Sequence, residues 1–225
     1  KTAAIKEPQM PKYKLINTDS DSGLTNHIVN VDTAKSDKTD INNIVDGDFK
    51  TAWVLGDWDG GVDYGQRMPI VTFDKDYTFD TINLSTKLDG SGFGMPFQAK
   101  VRLYDENGNQ IEVLNKNDIT LTEKRGENGQ RYMQLKLNKP VTARKVEVNL
   151  SVYAGNTVSI SEMKFYHYDS LENEVKDLFN DPLQLTIKDT VTQGTIDALR
   201  LRANTRDEVS REYHPQREDI LVAIQ

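Results

Sequence analysis

The sequence predicts a mainly β chain: an antiparallel sandwich or jelly roll followed by a small, truncated α-helical segment. Three observations carry this. Between residues 41 and about 168, several runs alternate apolar and polar side chains with the period of two that a half-buried strand requires. Turn-forming clusters, "DENGNQ", "RGENGQ", "NKP" and "AGN", separate those runs. From about residue 169 the apolar period lengthens to that of an amphipathic helix. Strands do not alternate with helices, which argues against a doubly wound parallel sheet.

In chain order, residues 1–40 are polar and read as mostly irregular, with "INTDSDSG" as a turn-rich patch. Six strands follow: "PIVTFD" (69–74), "FDTINLST" (79–86), "AKVRLYD" (99–105), "RYMQLKLN" (131–138), "RKVEVNLSVY" (144–153) and "SISEMKFYHY" (159–168). Val146, Val148 and Leu150 share one face of their strand, and Lys145, Glu147 and Asn149 share the other. Leu171, Val175, Leu178 and Phe179 then form a helical stripe, with Asp169 or Ser170 as N-cap and Asn180-Asp181-Pro182 as the stop. A second helix is predicted from near Thr195, carrying Ile196, Leu199 and Ala203. A third starts at Pro215, with Ile220, Leu221 and Ile224 as its apolar face.

The composition removes several function classes. With 36% hydrophobic and 28% charged residues, no apolar run approaches the roughly 20 residues of a membrane-spanning helix. A net charge of -7, with basic residues scattered among acidic ones, argues against nucleic acid as a partner. The absence of cysteine excludes disulfides, thiolate metal sites and cysteine nucleophiles. The chain starts at Lys1 without an apolar signal segment and stops in the apolar pattern "DILVAIQ", so we expect it to be part of a larger polypeptide.

Catalytic motifs are sparse. His27, His167 and His214 stand apart, in "NHIV", "FYHYD" and "EYHPQ", and none forms His-Glu-x-x-His. "DGSGFG" (89–94) lacks the Lys-Ser/Thr of a phosphate loop and reads as an ordinary loop. There is no G-x-S-x-G element, and among 35 acidic residues no carboxylate pair is singled out for glycoside hydrolysis. "NNIVDGDFKTAW" (42–53) is more informative. Asp46 and Asp48 flank Gly47 on one tight turn, and Thr51 adds a hydroxyl three residues on. Oxygen-only donors of this kind suit Ca²⁺, which takes 6–8 of them. The same residues also suit an Asx-turn leading into a strand, with Trp53 in the core.

"NIVDGDFKTAW", "STKLDGSGFGMPFQAKVRLYD" and "VSISEMKFYHY" occur in the order found in the discoidin, or coagulation factor 5/8 type C, superfamily. That superfamily includes the family 32 carbohydrate-binding modules, and the resemblance covers roughly residues 12–168. It implies a galactose-binding-like jelly roll and a structural calcium held by Asp46, Asp48, Thr51 and Glu162, with backbone from Asn43 and Met163. The Gly-Arg-Ile core common in sugar-binding members is missing here. The tail, "DSLENEVKDLFNDPLQLTIKD" through "EYHPQREDIL", is similar to the helical stretch preceding the catalytic domain of enhancin-like, mucin-degrading zinc metallopeptidases. His214 would then cap a helix, and the zinc motif of the parent would lie beyond Gln225. The expected organisation is an N-terminal extension (1–11), a discoidin-like module (12–168) and a helical linker (169–225).

A sugar site in such a sandwich is built on loops, with an aromatic ring stacking on the sugar and a few polar groups binding its hydroxyls. The candidates are Asp57, Trp58, Asp59, Tyr64 and Arg67 in "WVLGDWDGGVDYGQRMP". Lys87, Asp89 and Phe93 join them from the Gly-rich loop, with Tyr153 and Asn156 from "SVYAGN". Trp58, between two aspartates, serves either as a sugar platform or as a cover for the sandwich end. The resemblances together imply a non-catalytic module that anchors a secreted or surface-attached bacterial glycopeptidase to galactose- or N-acetylhexosamine-containing mucin glycans. The alternative is a structural or protein-interaction module that braces the peptidase domain and binds no sugar. An autonomous glycosidase is the third reading.

Overall fold

The computed structural model describes residues 22–33, 39–55, 68–88, 96–125, 129–153, 157–167, 171–206, 213–214 and 217–225. Among the described residues, nine strands lie before residue 167: β1 (Ile28–Thr33), β2 (Trp53–Leu55), β3 (Pro69–Ser85), β4 (Gln98–Tyr104), β5 (Gln110–Leu114), β6 (Ile119–Arg125), β7 (Arg131–Ser151), β8 (Val158–Ile160) and β9 (Glu162–Tyr166). Three α-helices follow among the described residues: α1 (Leu171–Lys176), α2 (Gln193–Ala203) and α3 (Arg217–Ala223). All strand pairings are antiparallel. The architecture is therefore the mainly β antiparallel sandwich with short helices that the residue pattern predicts.

Two long strands organise the sandwich. The first half of β3, around Ile70–Phe73, lies between β1 and the second half of β7, which in turn pairs with β4, and β4 with β5. The second half of β3, Thr81–Ser85, lies between β9 and the first half of β7, which carries β6 on its far side. Two layers thus share the same pair of strands, and β2 with β8 forms a separate two-stranded ribbon. The core is filled by alternate residues from both layers: Val71, Val101, Val146 and Val148 from one, Ile82, Leu84, Leu135 and Met163 from the other. Phe165 meets Phe73 and Phe79 edge to face across the interior, at ring-centroid distances of 5.3 and 5.2 Å.

This arrangement corrects several expectations. "PIVTFD" and "FDTINLST" are one strand, as are "RYMQLKLN" and "RKVEVNLSVY", so "NKP" is not a turn between strands. Asn138, Lys139 and Pro140 fall between paired positions of β7, so the proline's missing N–H removes no ladder bond. "SISEMKFYHY" is in contrast two strands, broken at Ser161, because β8 pairs with β2 while β9 pairs with β3. Residues 28–33, read as irregular, form β1; β5 and β6 were not singled out at all.

The helical region has a small core of its own, in which Leu171, Val175, Leu178, Phe179, Leu199 and Ile220 are buried together. The predicted stripe is the buried one, but α1 stops at Lys176, short of Leu178 and Phe179. Phe179 instead bridges to Ile187, and Asp181 accepts the N–H groups of Leu185 and Thr186 at 3.1 and 3.0 Å. This local turn chemistry competes with helix continuation. Helix α2 is capped by Thr192, whose hydroxyl accepts the Thr195 N–H at 3.2 Å. Asp169, Ser170 and Pro215 lie outside the described residues. No helix among the described residues is long and apolar enough to cross a membrane.

Candidate functional site

The loop 46–51 is built from its own polar residues. Asp46 Oδ1 accepts the Asp48 N–H and Asp48 Oδ1 accepts the Lys50 N–H, both at 2.9 Å, which makes two successive Asx-turns. The Thr51 hydroxyl donates to Asp46 Oδ2 at 2.5 Å and to the Asp48 carbonyl at 2.9 Å. Gly47 takes a positive φ of 75°, which permits the tight turn between the two aspartates. Trp53, immediately beyond, is fully buried. The turn and the core tryptophan are thus both present, and neither bears on whether a cation also sits here.

The closing strand meets this loop. Gly47 N–H donates to Glu162 Oε1 at 2.6 Å, and the Ser161 hydroxyl donates to the Thr51 carbonyl at 2.6 Å. Asn43 donates through its side-chain amide to the Ala52 carbonyl at 3.0 Å. Met163 lies in the β9 ladder opposite Leu84 and is fully buried. Of the predicted metal residues, Asp46 and Glu162 are brought together through their carboxyl groups. Asp48 and Thr51 use their side chains to shape the loop.

Glu162 is 1% exposed, and its second oxygen, Oε2, is buried with no hydrogen bond. Desolvation, together with the adjacent Asp46 carboxyl, pushes the Glu162 pKa up to about 8. A hard cation is the group that such a pair of carboxylates and its surrounding oxygens would accommodate. Asp46, Glu162 and the Thr51 hydroxyl could hold it, with loop carbonyls completing the shell. Among the described residues, no three His, Cys, Asp or Glu side chains gather into a metal-holding group, so carbonyl and hydroxyl oxygens would have to supply the remaining donors.

The sugar candidates divide. Asp57, Trp58, Asp59, Tyr64, Arg67, Asp89, Phe93 and Asn156 lie outside the described residues. Lys87 is half-buried, between Thr86, whose hydroxyl donates to the Lys87 carbonyl at 3.1 Å, and Leu88, whose N–H donates to the Phe49 carbonyl at 3.2 Å. Tyr153 is 61% exposed and stacks on Phe97, itself 44% exposed, at a centroid distance of 4.5 Å and an interplanar angle of 26°. Phe97 N–H donates to the Ser151 carbonyl at 3.0 Å, which joins the end of "DGSGFGMPF" to the start of "SVYAGN". Leu55, which precedes the Trp58 segment, pairs with Val158 just beyond "YAGN". The described flanks of two of these loops, 89–95 and 154–156, therefore meet at one exposed aromatic pair. Phe97 was missed as a candidate. Its only sequence signal was an aromatic residue between a glycine-rich stretch and a strand.

No protein-family model matches the sequence, and no curated protein matches it either. Solved structures do match. The structure of the CBM32-1 and CBM32-2 domains of Clostridium perfringens ZmpB superposes with a TM-score of 0.50 at 15% identity, covering 89% of this chain and 49% of that one. The same two domains in complex with GalNAc give 0.50 at 16% identity, with 89% and 48% covered. A longer ZmpB structure that also holds the M60 catalytic domain gives 0.50 at 16% identity, with 88% and 20% covered. At this identity the likeness defines the fold: an antiparallel sandwich of the family 32 carbohydrate-binding module type. The chain spans about half the length of the two-domain structures it matches. Coverage of 89% is about 200 of 225 residues, more than everything up to residue 167, so the likeness also extends into the helical region.

Proposed function

We propose that this chain is a non-catalytic carbohydrate-binding module. It binds glycans of the galactose or N-acetylhexosamine type, such as those of mucin-type glycoproteins, and a structural calcium ties loop 46–51 to the closing strand. The observation that carries this reading is the exposed Phe97–Tyr153 pair at the loop end of a family 32-type sandwich. Solvent-exposed aromatic rings are what a shallow sugar site requires. The ZmpB structures, one of them in complex with GalNAc and one with an M60 catalytic domain, support a module that delivers a secreted or surface-attached bacterial glycopeptidase to its glycoprotein substrate.

Titration of the 225-residue chain with galactose and GalNAc, alongside a glycan array, tests the reading. Tyr153→Ala is expected to weaken binding by roughly tenfold or more while leaving the melting temperature within about a degree, because the lost ring is an exposed one. Binding that survives Tyr153→Ala unchanged would remove the aromatic pair from the site. The second reading, a bracing or protein-interaction module, is favoured by the exposed Leu183, Leu185 and Leu201 of the helical region, at 78%, 76% and 69% exposure. An array with no glycan bound would select it.

A further inference from the structure

Phe97 and Tyr153 stack on each other, but the chain holds the two rings very differently. Phe97 follows Pro96, which is buried and whose ring fixes its own φ. The Phe97 N–H donates to the Ser151 carbonyl at 3.0 Å, next to the Gln98–Ser151 pair, so Phe97 is tied to the ladder of β4 and β7. Tyr153 lies two residues past the end of β7, beyond the buried Val152. Among the described residues, no hydrogen bond or ion pair holds the Tyr153 side chain, and the ring contact it makes is the stack on Phe97.

The stack also limits how a sugar is held. A pyranose clamped between two rings needs van der Waals contact on both sides, which places the rings roughly 7–8 Å apart. Here the centroids are 4.5 Å apart and the planes 26° from parallel, so each ring covers a face of the other. With one face on Phe97, the exposed 61% of Tyr153 lies on its other face and its rim. Tyr153 also carries a phenolic hydroxyl without a partner among the described residues, which can meet a sugar hydroxyl as donor or acceptor. Phenylalanine has no such group.

We propose that Tyr153 is the ring on which the sugar stacks and that Phe97 is a positioning residue that holds it, a division of roles that rests on the glycan-binding reading above. An exposed tyrosine beyond a strand end is otherwise free to change rotamer, and a ligand that must first order it binds more weakly by that ordering cost. Phe97, fixed at the head of β4, orders the ring before any sugar arrives. It acts through Tyr153 and needs no contact with the sugar.

The test is a double-mutant cycle on the 225-residue chain, in calcium, read by NMR titration with galactose and GalNAc. The variants are Phe97→Leu, Phe97→Tyr, Tyr153→Ala and the combination of Phe97→Leu with Tyr153→Ala. For the sugar that the wild-type chain binds more tightly, Phe97→Leu is expected to weaken binding roughly three- to fivefold. Phe97→Tyr keeps the stacking ring and is expected to stay within about twofold of the wild type. In the Tyr153→Ala background, Phe97→Leu is expected to change affinity by less than about twofold, because the ring it positions is gone. Each variant should melt within about two degrees of the wild type, since both rings are exposed. If Phe97→Leu does not, Phe97→Met takes its place. A Phe97→Leu loss of equal size in both backgrounds means that Phe97 meets the sugar itself, and overturns the proposal. Wild-type affinity in Phe97→Leu, or an equal loss in Phe97→Tyr, overturns it too. Sugar binding that is indifferent to Tyr153→Ala overturns this inference and leaves glycan binding standing. A chain that binds neither sugar overturns the glycan-binding reading with it.

Discussion

At Glu162 a carboxyl group sits almost wholly inside the protein, one oxygen bound by the Gly47 N–H and the other unpaired, with Asp46 alongside. Burial and the neighbouring carboxyl raise its pKa from 4.5 to about 8. Between those values the folded chain binds more protons than the unfolded one, so the linked stability is fully present below about 4.5 and is lost as pH rises through about 8. Metal-free protein should therefore show a melting temperature that falls across this window. Calcium added near pH 8 should restore it, by about 2.7 kcal/mol at a hundredfold excess over the dissociation constant. Glu162→Gln keeps an acceptor for Gly47 without the charge, so both the pH slope and the calcium response should flatten. A chain whose melting ignores calcium and pH alike would count against a metal here. At this scale the Asp46–Glu162 meeting was legible, because two spaced motifs resembled a known pair. The burial of Asn149, 1% exposed on the outer row of β7, was not, since alternation assigns a face and cannot say what covers it.

Among the elements, β9 is the one on which most of the site depends. It pairs with β3, carries Glu162, and receives the chain at Gly23, whose φ is 60°. A Cβ placed on Gly23 would stand 2.2 Å from the Phe165 carbonyl oxygen, and Leu24 N–H bonds that same oxygen at 3.0 Å. Gly23→Ala therefore combines a backbone clash with an unfavourable left-handed conformation. It should cost at least about 1–3 kcal/mol, read as a lower urea midpoint at unchanged slope. Element types were largely readable: "AKVRLYD" places Ala99, Val101 and Leu103 inward, as found. Where strands join or break was not. Pro140 looked like a terminator, yet the unpaired stretch beside it lets β7 pass from one layer to the other. Ser161 looked like mid-strand, yet there the chain changes pairing partner while its hydroxyl holds Thr51. Both outcomes depend on partners distant in sequence, which a local period does not register.

For the molecule as a whole, the sandwich and the helical region each bury their own cluster of apolar side chains. Leu199 is 6% exposed in the helical cluster, and Leu199→Ala should cost about 2–5 kcal/mol there. Both tryptophans, Trp53 and Trp58, precede the helical region, so fluorescence reports the sandwich while circular dichroism at helix wavelengths reports mainly the tail. The variant should lower the helical transition and leave the fluorescence midpoint in place. Midpoints that move together would show that the two cores unfold as one unit. Alternation, turn residues and the change to a helical period were enough to define a β-sandwich with an α-helical tail, because solvent on one side and core on the other imposes those periods on the chain itself. Which strands pass between layers, which carboxyl meets Asp46, and which aromatic rings remain open at the loop end were decided only by packing. Each of these is a relation between residues tens of positions apart, brought about when long-range pairing closes the sheets.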